Sequence, residues 1–271
     1  MHNFDMIMAK ELILAAIWYN HTAGGILGPF RIATWNLERP KPKGIAKNSK
    51  RLEKIREIDA DVWVLTETSA VISLVGYASV ASERYPDYHS ESSKENYVTI
   101  WSRWPILRRI PTFDPYLTVG AEVYSPVGPM IVFGTIITYA NDSGPNGTSH
   151  RWEEHRKSIQ AHDADWQRLR NEFPDHLFCI AGDFNQSRDG SGWYEDAESL
   201  KKLTSALEHS SLVCVTEDDM QAKGLSRASI DHICLSQTLA TQVTQVTAWE
   251  GTSTDGCRMS DHSGIAVDMG I

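Results

Sequence analysis

The chain has 271 residues, 41% of them hydrophobic and 23% charged, a globular composition that can fill a sizeable core and excludes wholesale disorder. Its formal net charge of -9 argues against tight nonspecific binding to nucleic acid, yet leaves phosphate substrates open, because a bound cation reverses the field at an acidic site. Four dispersed cysteines (Cys179, Cys214, Cys234 and Cys257) without a C-x-x-C pair give little support to a zinc cluster or a disulfide framework, and fit a reducing compartment.

From the N-terminus, Leu12 to Trp18 is a short apolar run preceded by Asp5 and Glu11. It is too short to span a bilayer and lacks the basic start and small-residue cleavage site of an export signal. Residues 1–30 are therefore expected to be an extension packed on or flanking one domain over 31–271. A degenerate export signal is the alternative; the expected chain is a cytoplasmic monomer without a membrane span.

Arg31 to Glu38 reads as a strand, Asn48 to Ile58 as a helix with Leu52, Ile55 and Ile58 at helical spacing, and Val62 to Thr66 as a second strand. Tyr97 to Trp101, Ala121 to Tyr124 and Met130 to Tyr139 read as further strands. Trp152 to Phe173 is the clearest helix, because Trp152, Ile159, Trp166 and Phe173 recur every seven residues with Leu169 beside them. Strand Leu177 to Ala181 follows, then a helix over Glu195 to His209 with Leu200, Leu203 and Leu207 on one face. Strands close the chain at Leu212 to Val215, Ile230 to Leu235, Val243 to Trp249 and Gly264 to Met269. Many strands with few helices predict an α/β protein in which two sheets share a core and helices cover it.

Acidic and amide residues gather at strand ends. Period-two alternation puts Asn36 with Glu38 in Thr34-Trp35-Asn36-Leu37-Glu38, and Asp183 with Asn185 in Ala181-Gly182-Asp183-Phe184-Asn185. Glu67 closes an apolar strand that has no structural use for a carboxylate. Taken singly, a strand-end Asp or Asn is more often a turn former or cap. Ser229-Ile230-Asp231-His232-Ile233 and Met259-Ser260-Asp261-His262-Ser263 add two Asp-His pairs. Buried carboxylates need partners, and a hard cation with an Asp orienting a His would satisfy the set together.

The ordered series T-W-N-L-E, L-T-E, G-D-F-N, I-D-H-I and S-D-H, running through nearly all of residues 31–269, resembles the endonuclease/exonuclease/phosphatase superfamily related to DNase I. The resemblance implies a four-layer α/β sandwich, two mixed sheets face to face with helices outside, and a site at one edge. It implies Glu67 as the principal metal-binding carboxylate, with Asn36 supporting the metal and Glu38 and Asp261 as acidic groups near it. Asp183 matches the residue that orients or deprotonates water, Asn185 the amide on the scissile phosphate, His262 the site histidine and Asp231 its carboxylate partner. Tyr139 matches a phosphate-contacting Tyr of some relatives, although Ala140-Asn141-Asp142 departs from the Y-x-P-N pattern and softens Tyr139 and Asn141 alike. His150 and His155 are the nearest candidates for a second site histidine.

Other residues receive bland readings. Alternation turns His232 away from Asp231 as a packed histidine, and His162 and the helix tryptophans belong with the core. Arg39, Lys41, Lys43, Lys47, Lys50 and Arg51 read first as a solvated surface and second as a rim that steers phosphates. Oxygen and amide ligands favour Mg2+, with Mn2+ also suitable, over zinc. The expected activity is metal-dependent hydrolysis of a phosphoester, foremost as a phosphodiesterase or nuclease. Its substrate is a nucleic acid or a small phosphodiester. Phosphomonoesterase and phospholipid or inositol-phosphate phosphodiesterase chemistry are the alternatives, and a non-catalytic binding relative is disfavoured by the complete site set.

Overall fold

The computed structural model describes residues 29–84 and 95–270. The Leu12–Trp18 run and nearly all of the expected N-terminal extension lie outside the described residues. In chain order the strands are β1 (Phe30–Asn36), β2 (Val62–Ser69), β3 (Ala78–Ala81), β4 (Glu95–Ser102), β5 (Ile106–Ile110), β6 (Thr118–Ser125), β7 (Gly128–Ile136), β8 (Leu177–Asp183), β9 (Leu212–Cys214), β10 (Asp231–Ser236), β11 (Val243–Trp249) and β12 (Gly264–Met269). The helices are α1 (Ile45–Ile58), α2 (Glu153–Glu172), α3 (Ala197–His209) and the short α4 (Gln237–Ala240).

The strands form two six-stranded sheets, ordered β11-β12-β1-β2-β4-β3 and β5-β6-β7-β8-β10-β9. Each sheet has one parallel pair, β1 with β2 and β7 with β8, among antiparallel neighbours. Those parallel pairs need crossovers, and α1 and α2 supply them. Alternation sorts the side chains into layers: Ile32, Val64, Val98, Val132 and Ile233 fill the space between the sheets. Trp35, Trp63 and Leu65 point the other way onto Ile55 and Ile58 of α1. Phe133, Phe178 and Ile180 meet Ile159, Trp166 and Leu169 of α2 and Leu203 and Leu207 of α3. Central strands buried on both faces explain why their sequences are nearly continuous apolar runs. At Gly134 the sheets approach so closely that a Cβ would stand 2.6 Å from Val98 Cγ1 and 3.0 Å from Val64 Cγ1.

The four-layer sandwich agrees with the expectation from the sequence. The seven-residue stripe Trp152, Ile159, Trp166 and Phe173 is buried throughout. Strand ends differ in two places that matter for function. β1 stops at Asn36 rather than Glu38, and β7 stops at Ile136 rather than Tyr139.

Candidate functional site

Both parallel pairs run toward the same edge of the sandwich, where β1 delivers Asn36, β2 Glu67 and β8 Asp183. Register pairs Asp231, the first residue of β10, directly with Asp183. The glycine before Asp183 is obligatory. Gly182 has φ +140°, and a Cβ there would lie 2.0 Å from the Thr135 carbonyl oxygen. Only a bare backbone lets β8 reach its end against β7. At and just beyond these strand ends the backbone departs from extended geometry. Glu67 (φ 47°), Asn185 (φ 48°), Glu38 (φ 51°) and Arg39 (φ 47°) all adopt left-handed backbone, a conformation that costs a non-glycine residue roughly 1–2 kcal/mol. Such strain gathers where a side chain must be aimed at a fixed point.

His262 enters on the loop before β12. Its N–H donates to Ser260 Oγ (3.1 Å), the Ser260 hydroxyl donates to the Asn36 carbonyl (2.6 Å), and Trp35 Nε1–H donates to the His262 carbonyl (3.0 Å). The imidazole therefore hangs on β1. Its Nδ1–H donates to Asp231 Oδ2 at 2.6 Å, while Nε2 stands 3.9 Å from Asp183 Oδ2. Asp183 is buried (3% exposed); its Oδ1 accepts the Asn185 N–H (2.9 Å) and its Oδ2 accepts Asn36 Nδ2–H (3.1 Å). The Asn185 amide is held by the Ile137 carbonyl at 2.9 Å.

Burial pushes the Asp183 carboxyl up to about 7, partly offset by His262 and reinforced by Asp231. On His262 burial acts in the opposite sense, but Asp231 and then Asp183 outweigh it and raise the imidazole to about 10. The arrangement is a fixed imidazolium between two carboxylates, one bonded and one across a gap, with Asp183 titrating near neutrality as a general base should. Asp183, Asp231 and His262 each offer a ligand atom within 4.8 Å of one another. With Asp231 on Nδ1 and Asp183 facing Nε2, the trio is also a charge-paired triad.

A cleft of about 590 Å³ opens beside the triad, lined by Asp183, Asn185 and His262 together with Glu67, Arg39, Tyr97, Thr138, Tyr139 and Asp142. Glu67 meets Arg39 Nε at 3.2 Å, and the guanidinium lies over the Tyr97 ring. Asn36 is buried behind Asp183, and its Oδ1 accepts the Glu38 N–H at 2.9 Å. Three carboxylates face this cleft against one arginine, and the Arg39 cation already sits on Glu67. A hard cation fits that oxygen donor set.

Some sequence-assigned residues fall elsewhere. The Glu38 carboxylate accepts from Lys47 (2.6 Å) and Arg258 (2.8 Å) and does not line the cleft. Its expected alignment with Asn36 fails because β1 ends first and the backbone turns left-handed. Asp261, half exposed, lies 3.9 Å from Arg258 and also outside the cleft lining. His155 is a buried structural residue: Nδ1 meets the Thr138 carbonyl (2.6 Å), Nε2 meets Gln186 Oε1 (3.1 Å), and burial lowers its pKa. His150 stands at the start of α2, its N–H donating to Glu153, outside the cleft lining. Tyr139 lines the cleft and is 52% exposed, but lies beyond the end of β7. Asp142 lines it in place of Asn141, fixed by Thr138 Oγ1 (2.6 Å) and Gly144 N–H (2.8 Å).

Of the basic run, Arg39 alone lines the cleft. Lys41 pairs with Glu95, Lys50 with Asp255, and Arg51 is buried with its Nε donating to the Met259 carbonyl. His232 and His162 are both fully buried, as expected. Tyr97, Leu117, Ile136, Thr138 and Asp142 complete the cleft through strand pairing and turn geometry, which no local motif signals.

No curated protein sequence matches the chain. Its architecture does match solved structures. An AP endonuclease from Archaeoglobus fulgidus superposes with a TM-score of 0.66 at 15% identity, over 89% of this chain and 100% of that one. The 3' phosphatase NExo from Neisseria, bound to a product DNA hairpin, gives 0.64 at 16% identity over 89% and 99% of the two chains. The 3'-5' exonuclease NExo from Neisseria meningitidis gives 0.62 at 19% identity over 89% and 100%. At these identities the likeness concerns the fold. The sequence itself carries the family: the Endonuclease/Exonuclease/phosphatase family model matches residues 33–262, from the middle of β1 to the site histidine, and the chain belongs to this family of phosphoester hydrolases.

Proposed function

We propose that the chain is a Mg2+-dependent phosphodiesterase, with Mn2+ able to replace Mg2+, and that its substrate is a nucleic acid or a smaller phosphodiester. The observation that carries this reading is the convergence of two unlike groups on one cleft: the buried triad of Asp183, His262 and Asp231, and the cleft-wall carboxylate of Glu67. Glu67 would hold the cation, with Asn36 supporting the site through its bond to Asp183. Bound there, the cation supplies charge neutralisation at phosphoryl and leaving-group oxygens. Asp183 takes the proton of the attacking water, since it lines the cleft and its carboxyl is poised near neutrality. His262 presents Nε2–H across the 3.9 Å gap toward charge developing on the phosphoryl group, and Asp231 keeps that proton in place. Asn185 contacts the scissile phosphate, and Tyr139 a neighbouring phosphate.

For the substrate, the solved neighbours include an AP endonuclease and a 3' phosphatase bound to a product DNA hairpin. Trp193, 43% exposed, carries the Arg227 guanidinium 4.9 Å from its ring centroid. Arg227 also donates to the carbonyl of Asp261, beside His262. An exposed indole joined in this way to the site rim suits stacking of a base from an unpaired strand, and the overall negative charge disfavours tight duplex binding. Among the described residues no helix is long and apolar enough to cross a membrane.

The test is hydrolysis of bis-p-nitrophenyl phosphate and of single- and double-stranded nucleic acids, with Mg2+, with Mn2+ and with a chelator. Metal-dependent cleavage of diesters is expected, with single strands preferred. Release of inorganic phosphate from 3'-phosphorylated ends without diester cleavage would favour the monoesterase. Absence of any metal-dependent hydrolysis would favour a binding protein.

A further inference from the structure

On the outer face of the second sheet, away from the cleft, the edge strand β9 pairs with β10 so that Cys214 stands directly opposite Cys234. The Val215 N–H donates to the Ile233 carbonyl at 3.0 Å, which makes Val215 and Ile233 the hydrogen-bonded pair. Cys214 and Cys234 are thus the adjoining non-hydrogen-bonded pair, where Cα atoms stand about 4.5 Å apart and side chains come closest. That separation falls inside the roughly 4.4–6.8 Å range that a disulfide spans.

The surroundings are unusual for two structural thiols. The Arg188 side chain is 6% exposed; its Nη2 reaches Glu217 (3.1 Å) and Thr204 (3.3 Å). Its Nε and Nη1, both buried, have no hydrogen-bond partner, and its charge acts on Cys214 and Cys234. A buried guanidinium with unmet donors calls for an anion. His232 lies on the same face of β10, with Nε2–H donating to the Gln186 carbonyl (2.9 Å) and Nδ1 at 3.2 Å from Thr216 Oγ1. Cys214 Sγ stands 3.8 Å from that same hydroxyl. Burial opposes ionisation of Cys214, but the Cys234 thiol bonded to it, with His232 and Arg188, brings it well below the ordinary thiol range. Burial and the neighbouring Cys214 push Cys234 well above that range. A negative charge on this pair would answer the unmet donors of Arg188.

We infer that Cys214 and Cys234 are a peroxide-oxidisable dithiol that closes into a cross-strand disulfide between β9 and β10, with Cys214 as the reacting thiolate. The Cys214 thiolate attacks one oxygen of hydrogen peroxide; an S–O bond forms, the O–O bond breaks and hydroxide leaves. Cys234 sulfur then attacks Cys214 Sγ; the S–S bond forms, the S–O bond breaks, and the departing oxygen takes up the Cys234 proton and leaves as water. Two thiol sulfurs are oxidised and one peroxide is reduced. Arg188 and His232 stabilise the thiolate; Cys214 (6% exposed) and Cys234 (0%) are buried with Leu203, Leu207 and Leu212, so only an oxidant as small as hydrogen peroxide suits the pair. Cys179, buried on the inter-sheet side, and the more exposed Cys257 stand outside the pair.

The experiment treats the reduced full chain with hydrogen peroxide, then quenches, unfolds and alkylates it for non-reducing peptide mapping. The expected product is one linked peptide pair, Cys214 with Cys234, lost in Cys214→Ser and in Cys234→Ser. In Arg188→Gln the linkage forms at least about tenfold more slowly. A readout on the unaltered chain covers the case in which that variant does not fold. From about pH 6 to about pH 8 the linkage rate should stay within roughly threefold, whereas a thiol of ordinary pKa near 8.5 would accelerate by well over tenfold. Oxidation of Cys257 with both paired cysteines still alkylatable would overturn the inference, as would a linkage rate that climbs with pH like that of an ordinary thiol.

Discussion

The two strand-helix-strand units, β1-α1-β2 and β7-α2-β8, end at the same edge but prepare their polar residues differently. In the first, Glu67 is partly exposed and pairs with Arg39 over Tyr97, a contact that the proposed cation would have to exchange. In the second, Asp183 is buried and its oxygens are held by Asn185 and Asn36, with His262 and Asp231 fixed beside it. One wall is built to trade partners and the other to keep them. Transition-state stabilisation by preorganised charge belongs on the wall that does not move, and ligand affinity on the one that does.

The largest effects are therefore expected on the fixed wall. Asp183→Asn and His262→Ala should each lower turnover at least about a hundredfold at saturating metal, with the fold checked by circular dichroism. Near-wild-type turnover by either folded variant would erase the distinction between the walls. On the exchangeable wall, Glu67→Gln should raise the Mg2+ concentration for half-maximal activity by about tenfold or more. Calorimetric titration of the variant with Mg2+ alone should show the same loss. If Glu67→Gln changed turnover but left metal affinity intact, Glu67 would belong with the triad.

The same contrast has a stability signature behind the second unit. His162, fully buried in α2, donates Nδ1–H to the Ser158 carbonyl (2.7 Å) and bonds Thr135 through Nε2 (2.6 Å). Burial lowers its pKa to about 4, below the unfolded value of about 6.5. A histidine depressed in the folded state contributes stability above its unfolded pKa and loses it as pH falls toward the folded one. From about pH 7 to about pH 5 the protein should lose about 2 kcal/mol through this residue. Urea unfolding of the metal-free protein at both values, compared with His162→Gln, measures it; an equal acid loss in the variant would assign the loss to other groups.

The sequence displayed the fold well where one face or stripe repeats. The Trp152–Phe173 stripe and the alternation of Ile32, Val64 and Ile233 against Trp35 and Trp63 follow from burial alone, which period reports directly. β3, β5 and α4 went unread because they are short or exposed, as in Ile106-Leu107-Arg108-Arg109-Ile110. The site was legible in its motifs, since Asp183 and Asn185 share one turn and Asp231 opens one strand. Contacts that cross the molecule were not: Arg39 on Glu67, the His262 loop hung on Trp35 and Asn36, and the register of Cys214 with Cys234. Alternation also misled at one point, because it presumes that the strand continues, and at Glu38 it does not.

Glu38 accordingly supplies the smallest expected effect and the sharpest control for Glu67. Both are glutamates just beyond or within a parallel strand, both have left-handed backbone, and a family pattern places both near a cation. Yet the Glu38 carboxylate is shared by Lys47 and Arg258, whose side chains are 33% and 59% exposed, and it points away from the cleft. Such solvent-screened pairs contribute about 0–1 kcal/mol each, so Glu38→Gln should cost little stability and leave the Mg2+ half-saturation within about twofold of the parent. A metal titration of the two variants side by side decides the matter. If Glu38→Gln weakened metal binding as much as Glu67→Gln, the two salt bridges would have to open when the cation binds, and the first unit would offer it two carboxylates in place of one.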